Sequence, residues 1–202
     1  MPTNPALCPL ALAFACTLAL AAGCDNHRDH DHHAGDHSHD PGTHGHDHTL
    51  RTVDLDGLND LIRAKTRTGK VTVVEVWATW CAPCVDLIPL MKKAAHDRAG
   101  QMHLIGLSID GAEDQKAAEE TLLKLEQDIK NDFGIDADLF KNGFIMPSPD
   151  QQQALLGDTI NPPTLFIYSP DGSLFKRIDG SDAQSLIGDV TQAIDDAIAA
   201  AG

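Results

Sequence analysis

Residues 71–84 read Val71-Thr72-Val73-Val74-Glu75-Val76-Trp77-Ala78-Thr79-Trp80-Cys81-Ala82-Pro83-Cys84. Apart from Glu75, the first half is apolar and β-branched, the composition of a strand buried on both faces. The second half sets two thiols at C-x-x-C spacing. Leu87, Ile88, Leu90 and Met91 follow at helical spacing, with Pro89 among them as an expected kink. A strand that runs into a C-x-x-C opening a helix suits dithiol–disulfide exchange. The first sulfur then meets the unpaired N–H groups and the positive dipole end of the helix, which favour the thiolate. The thiolate is the species that attacks disulfides.

Outward from this stretch, strand and helix alternate. Thr52–Leu55 reads as a short strand. Leu58, Leu61 and Ile62 mark a helix ending near Gly69. His103–Ile109 is a second buried strand, and Glu113–Ile129 a long amphipathic helix. Leu165–Tyr168 and Ser173–Ile178 form a hairpin about the turn Ser169-Pro170-Asp171-Gly172. Asp182–Ala200 is a closing helix with apolar residues at 186, 187, 190, 194 and 198. The expected fold is α/β, a mixed sheet with helices on both faces. Phe140–Ile160, with its short Gln-rich helix, receives no place in this scheme.

The N-terminus reads as an address. Ala6–Gly23 is uncharged and apolar, too short after Pro9 to span a bilayer but suited to a signal-peptide core. It ends Leu20-Ala21-Ala22-Gly23-Cys24, similar to the lipobox of bacterial lipoproteins, in which the Cys is lipidated. The reading is a signal peptide over 1–23 and a lipid anchor on Cys24. Residues 1–5 lack the customary Lys or Arg, and Ala21 stands where that motif prefers Leu.

Residues 24–50 form a His/Asp-rich tether. Histidines stand at His27, His30, His32, His33, His37, His39, His44, His46 and His48, with six Asp among residues 25–47. Such a segment buries too little apolar surface to offset its ordering entropy and is expected to be disordered. A coil of that length reaches about 25–30 Å. Imidazoles beside carboxylates suit Zn, Cu or Ni, so the tract is a candidate divalent-metal binder.

Composition narrows the function further. A net charge of −15 over 202 residues excludes nucleic acid as a natural partner. Of five cysteines, Cys8 and Cys16 fall in the cleaved segment. The remaining three are already assigned, so no disulfide framework is available. No second Cys or His pair follows Cys81 and Cys84 at zinc-ligand spacing. A peroxidase P-x-x-x-T-x-x-C run is absent.

The element order, the run WATWCAPC, the Pro163-Thr164 step and Gly180 after the hairpin together resemble the thioredoxin superfamily. Within it the chain is most similar to the exported, membrane-tethered TlpA/ResA-like thiol–disulfide oxidoreductases, over about residues 51–200. The resemblance implies a thioredoxin-like domain over 51–202 with an insertion at about 111–160. It implies that Cys81 attacks and Cys84 resolves, the two forming a reversible disulfide. It implies a cis-proline at Pro163 and a buried acid at Glu75 that relays the proton of Cys84. Trp80, Ala82, Pro83 and Pro162 would border the docked substrate, and Trp77 would support the loop. Partners would be protein disulfides or thiols, a membrane electron donor and the membrane itself through the lipid anchor. The location would be periplasmic or another extracytoplasmic face. No cofactor is expected for the redox step. Ala82-Pro83 lies closer to the reducing Gly-Pro pair than to the oxidising Pro-His pair, so reduction is the expected direction. A metal-binding lipoprotein using the tract and the dithiol is the alternative. Two departures stand out. Pro162 lacks the N–H that the family uses to grip a bound strand. The lysine that faces the buried acid in cytosolic thioredoxins has no match, since Gly106 stands near that place.

Overall fold

In the computed structural model, residues 47–202 are described. The signal peptide, Cys24 and the tether histidines up to His46 lie outside them. Six strands form one sheet: β1 Arg51–Thr52, β2 Val71–Trp77, β3 Met102–Ser108, β4 Gly143–Ile145, β5 Thr164–Tyr168 and β6 Leu174–Asp179. Their order is β1-β4-β3-β2-β5-β6. β1, β4, β3 and β2 run parallel, while β5 and β6 run antiparallel to their neighbours. Five helices join them: α1 Leu55–Thr66, α2 Ala82–Asp97, α3 Gln115–Phe133, α4 Pro149–Leu156 and α5 Ala183–Ala200. This is the thioredoxin arrangement of a mixed sheet between helical layers.

The alternation of β2 sorts its side chains between two packed layers. Val71 and Val73 pack with Leu87 and Met91 of α2 and with Leu186, Val190 and Ile194 of α5. Val74 and Val76 share a cluster with Leu58 and Ile62 of α1, Ile105 and Leu107 of β3, and Leu156 of α4. Thus α5, α2 and α3 lie along one face, and α1 and α4 along the other. All seven residues of β2 are buried, as its nearly unbroken apolar run implies.

Two elements differ from the sequence reading. The strand expected at Thr52–Leu55 is only Arg51–Thr52. Asp54 ends it by capping α1, its carboxylate accepting the Gly57 N–H at 2.7 Å. A side chain that satisfies an orphan helix donor outweighs a weak strand preference. The unplaced stretch supplies β4, whose three residues are too few to show a period. β4 inserts between β1 and β3. The crossover β3–α3–β4 therefore widens the sheet by one strand and lays α3 beside α2. α3 stops at Gly134, whose φ of 69° is a left-handed cap.

Candidate active site

Three chain segments meet at the carboxyl end of β2. The first is the loop 78–81, which leads into α2. Cys81 is the N-cap of α2, and its Sγ accepts the Cys84 N–H at 3.3 Å. Cys81 and Cys84 are joined in a disulfide. Cys84 is 1% exposed and Cys81 6%, whereas Trp80 beside them is 62% exposed. Ala82 is exposed and Pro83 half-buried. Pro83 occupies the first turn of α2, where its missing N–H costs nothing.

The second segment is the end of β3. Asp110 is fully buried. Its carboxylate accepts the Thr79 N–H at 3.1 Å, the Thr79 hydroxyl at 2.6 Å and the Ser108 hydroxyl at 2.8 Å. The Ile109 N–H donates to the Trp77 carbonyl at 2.9 Å. The loop before Cys81 is therefore tied to β3 on both sides of Ala78. Asp110 was not singled out from the sequence. Its only mark there is an acid directly after an apolar strand.

The third segment precedes β5. The Pro162–Pro163 bond is cis. Val76 pairs with Thr164, so the antiparallel register brings Pro163 to the same end of the sheet as the disulfide. The Thr164 hydroxyl is within 2.7 Å of Asp179 Oδ1, and the Gly180 N–H donates to the Pro163 carbonyl at 3.2 Å. A Cβ on Gly180 would lie 2.7 Å from Leu186 Cδ1, so a side chain here requires Leu186 to shift. Pro162 is half-buried and Pro163 buried. Gln152 of α4 joins the second segment to β4, donating to the Ile109 carbonyl at 3.0 Å and the Met146 carbonyl at 2.7 Å.

Glu75 lies behind this end, at the centre of the sheet. It pairs with Gly106 on one side and Leu165 on the other. It is 2% exposed, and its Oε1 has no hydrogen-bond partner. Burial without a partner disfavours the carboxylate and pushes the pKa up to about 8. Gly106, directly opposite on β3, carries no side chain that could pair with it.

His48 is the one tether histidine among the described residues. Its ring meets Phe140 edge-on, with centroids 5.1 Å apart. Among the described residues no group of three His, Cys, Asp or Glu is placed to hold a metal ion. No helix there is long and apolar enough to cross a membrane.

Residues 57–124 match the Thioredoxin family model. A thioredoxin of Staphylococcus aureus is 36% identical over 47 residues, 23% of this chain and 44% of that protein. The chain thus spans less than half the length of the curated relatives it matches. Among solved structures, a candidate thiol:disulfide interchange protein DsbE from Chlorobium tepidum superposes with a TM-score of 0.50 at 20% identity. The superposition covers 74% of this chain and 92% of that one. A thioredoxin-like protein solved in its oxidized form gives 0.50 at 14% identity, over 65% and 79%. The match to the Thioredoxin family model is confined to residues 57–124, and the fold that contains them is the thioredoxin fold.

Proposed function

We propose that this protein is an exported thiol–disulfide oxidoreductase that reduces disulfides of protein substrates. The carrying observation is the disulfide between Cys81 and Cys84 at the capped start of α2, beside a cis-proline. In the reduced form the Cys81 thiolate attacks a substrate disulfide and expels one substrate thiolate. The Cys84 thiolate then attacks Cys81 Sγ and expels the second. Two electrons pass to the substrate, and the pair returns to the disulfide. Glu75 takes the proton of Cys84 as that thiol becomes a nucleophile. When an electron donor reopens the disulfide, Glu75 returns the proton to Cys84. A carboxyl whose pKa stands near 8 can do both around neutral pH. The reaction needs no cofactor. Trp80, Ala82, Pro83 and Pro162 border the substrate, and Pro162 offers it a carbonyl acceptor but no donor.

Reduction rather than oxidation is favoured by Ala82-Pro83. The potential should lie nearer the thioredoxin value of about −270 mV than the roughly −120 mV of DsbA. A reductase in an oxidising compartment needs electrons from a membrane partner, and lipidation of Cys24 would hold the domain near one. The tether between them reads as a spacer that also binds Zn, Cu or Ni.

A Cys84→Ala variant tests the redox reading. It should accumulate substrates as mixed disulfides on Cys81, while Cys81→Ala traps none. The reverse pattern would exchange the two roles, and no trapping by either would reject the reading. Deletion of residues 27–48 tests the tract: Zn binding measured by calorimetry should disappear while thiol exchange persists.

A further inference from the structure

The chain carries a net charge of −15, yet it gathers cations on the β1 side of the sheet. Arg51 opens β1, Lys65 lies in the last turn of α1, and Lys141 precedes β4. Two successive residues draw them together. Arg51 Nη2 donates to the Lys141 carbonyl at 2.7 Å, and Lys65 Nζ donates to Asn142 Oδ1 at 3.0 Å. The pairing of β1 with β4 sets Arg51 opposite Phe144. The Arg51 guanidinium carbon lies 4.3 Å from the centre of the Phe144 ring.

No carboxylate balances this charge. Among the described residues none of the three cations takes part in an ion pair. The acids close by in sequence are turned to backbone groups. Asp138 accepts the Lys141 N–H at 3.1 Å, and Glu119 accepts the Leu50 N–H at 2.9 Å. Burial and the charges of Lys141 and Arg51 lower the Lys65 pKa, and no acid raises it. A lysine in the last turn of a helix ordinarily serves the end carbonyls and the dipole. Lys65 reaches instead to Asn142 on another segment. Lys65 and Asn142 are half-buried, while Arg51 and Lys141 are exposed. The cluster is thus anchored on one side and open to solvent on the other.

The donors left over suit a tetrahedral oxyanion. Arg51 is held by one face and one N–H, which leaves the rest of its planar fork to bind. Lys65 keeps N–H bonds beyond the one to Asn142. The Asn142 amide accepts through Oδ1, so its own N–H groups can donate.

We propose that Arg51, Lys65, Lys141 and Asn142 form a binding site for a phosphate group, carried by a free phosphate or by a phospholipid head. The site is separate from the dithiol, because β4 and β3 stand between β1 and β2. It follows directly on residues 24–50 in sequence. If Cys24 carries a lipid, the membrane's head groups are within reach of the site.

The test is a titration of the full chain with inorganic phosphate at constant ionic strength, followed by NMR at the Asn142 side-chain amide and the Arg51 guanidinium. Both signals should shift saturably, and chloride should shift neither. Lys65→Gln should weaken binding about three- to tenfold, and so should Arg51→Lys, which keeps the charge but not the fork. Lys176→Gln, at an exposed lysine of β6, should leave it unchanged. Circular dichroism checks that each variant keeps its fold. A second arm compares sedimentation with phosphatidylglycerol and phosphatidylcholine vesicles. Greater retention on phosphatidylglycerol that Lys65→Gln reduces assigns the phosphate to a lipid head. Saturable shifts without that difference assign it to a free phosphate. Absence of both responses overturns the site, as does equal weakening by Lys176→Gln. Shifts that appear only after deletion of residues 27–46 would give the cations to the chain's own carboxylates, and would overturn it too.

Discussion

Asp110 holds Thr79 by both its backbone N–H and its hydroxyl, at 3.1 and 2.6 Å, and Thr79 stands two residues before Cys81. The position of the dithiol is thereby set from the end of β3 as much as from its own strand. Asp110→Ala leaves the half-buried Thr79 and buried Ser108 groups without their acceptor. It should cost about 3 kcal/mol or more in urea unfolding. Asp110→Asn keeps the shape and one acceptor oxygen, so it should cost less. Its thiol-exchange rate should still fall, since the amide cannot accept from both groups as the carboxylate does.

Glu75→Gln removes a group that is protonated in the fold up to about pH 8. The native state then binds more protons than the unfolded chain between the ordinary glutamate value and pH 8. Stability from this group is therefore present at low pH and declines as pH rises through that window. The total decline is at most on the order of 5 kcal/mol for a shift of this size. Glu75→Gln should flatten this fall, and denaturation midpoints at pH 5 and pH 9 should converge relative to wild type. The same variant should slow thiol exchange near neutrality, because the amide cannot carry a proton for Cys84. A variant that kept both the wild-type pH slope and the wild-type rate would remove Glu75 from the mechanism.

Gln152→Leu keeps the volume but withdraws the donor from the Ile109 and Met146 carbonyls. Two buried acceptors left bare should cost about 2 kcal/mol or more. Hydrogen exchange should report the loss first at the ends of β3 and β4. Uniform loosening of the whole sheet would contradict a local staple.

These residues show where the sequence was readable. The β-branched run of β2, the C-x-x-C and the periodic helices carry repeating signals, and the mixed sheet they imply is observed with β4 added to it. β4 carries none: Gly143-Phe144-Ile145 becomes a strand only because β1 and β3 pair with it. The same holds for the site. Cys81 and Cys84 can be found by spacing, and Pro163 by the resemblance to the thioredoxin superfamily. Asp110 and Gln152 reach their places through tertiary contacts between segments far apart in sequence, which no local pattern encodes.

Gly180→Ala would drive a Cβ to 2.7 Å from Leu186 Cδ1. Leu186 is itself buried against β2 and β5, so it cannot simply swing away. The substitution should cost about 1–3 kcal/mol. Adding Leu186→Ala should recover part of this. A double-mutant cycle would show a coupling of opposite sign to the single costs. Strict additivity would mean that the two residues do not press on one another.

The stretch between β3 and β5 reaches beyond its own loops. α3 and the residues before β4 contribute Leu122, Asp138, Leu139, Asn142 and Gly143 to the wall beside Glu75. They are remote in sequence from the C-x-x-C, yet they set the dielectric in which its carboxyl titrates. Shortening or re-lining this stretch is a means of retuning the proton affinity behind the dithiol while every residue of WATWCAPC stays unchanged.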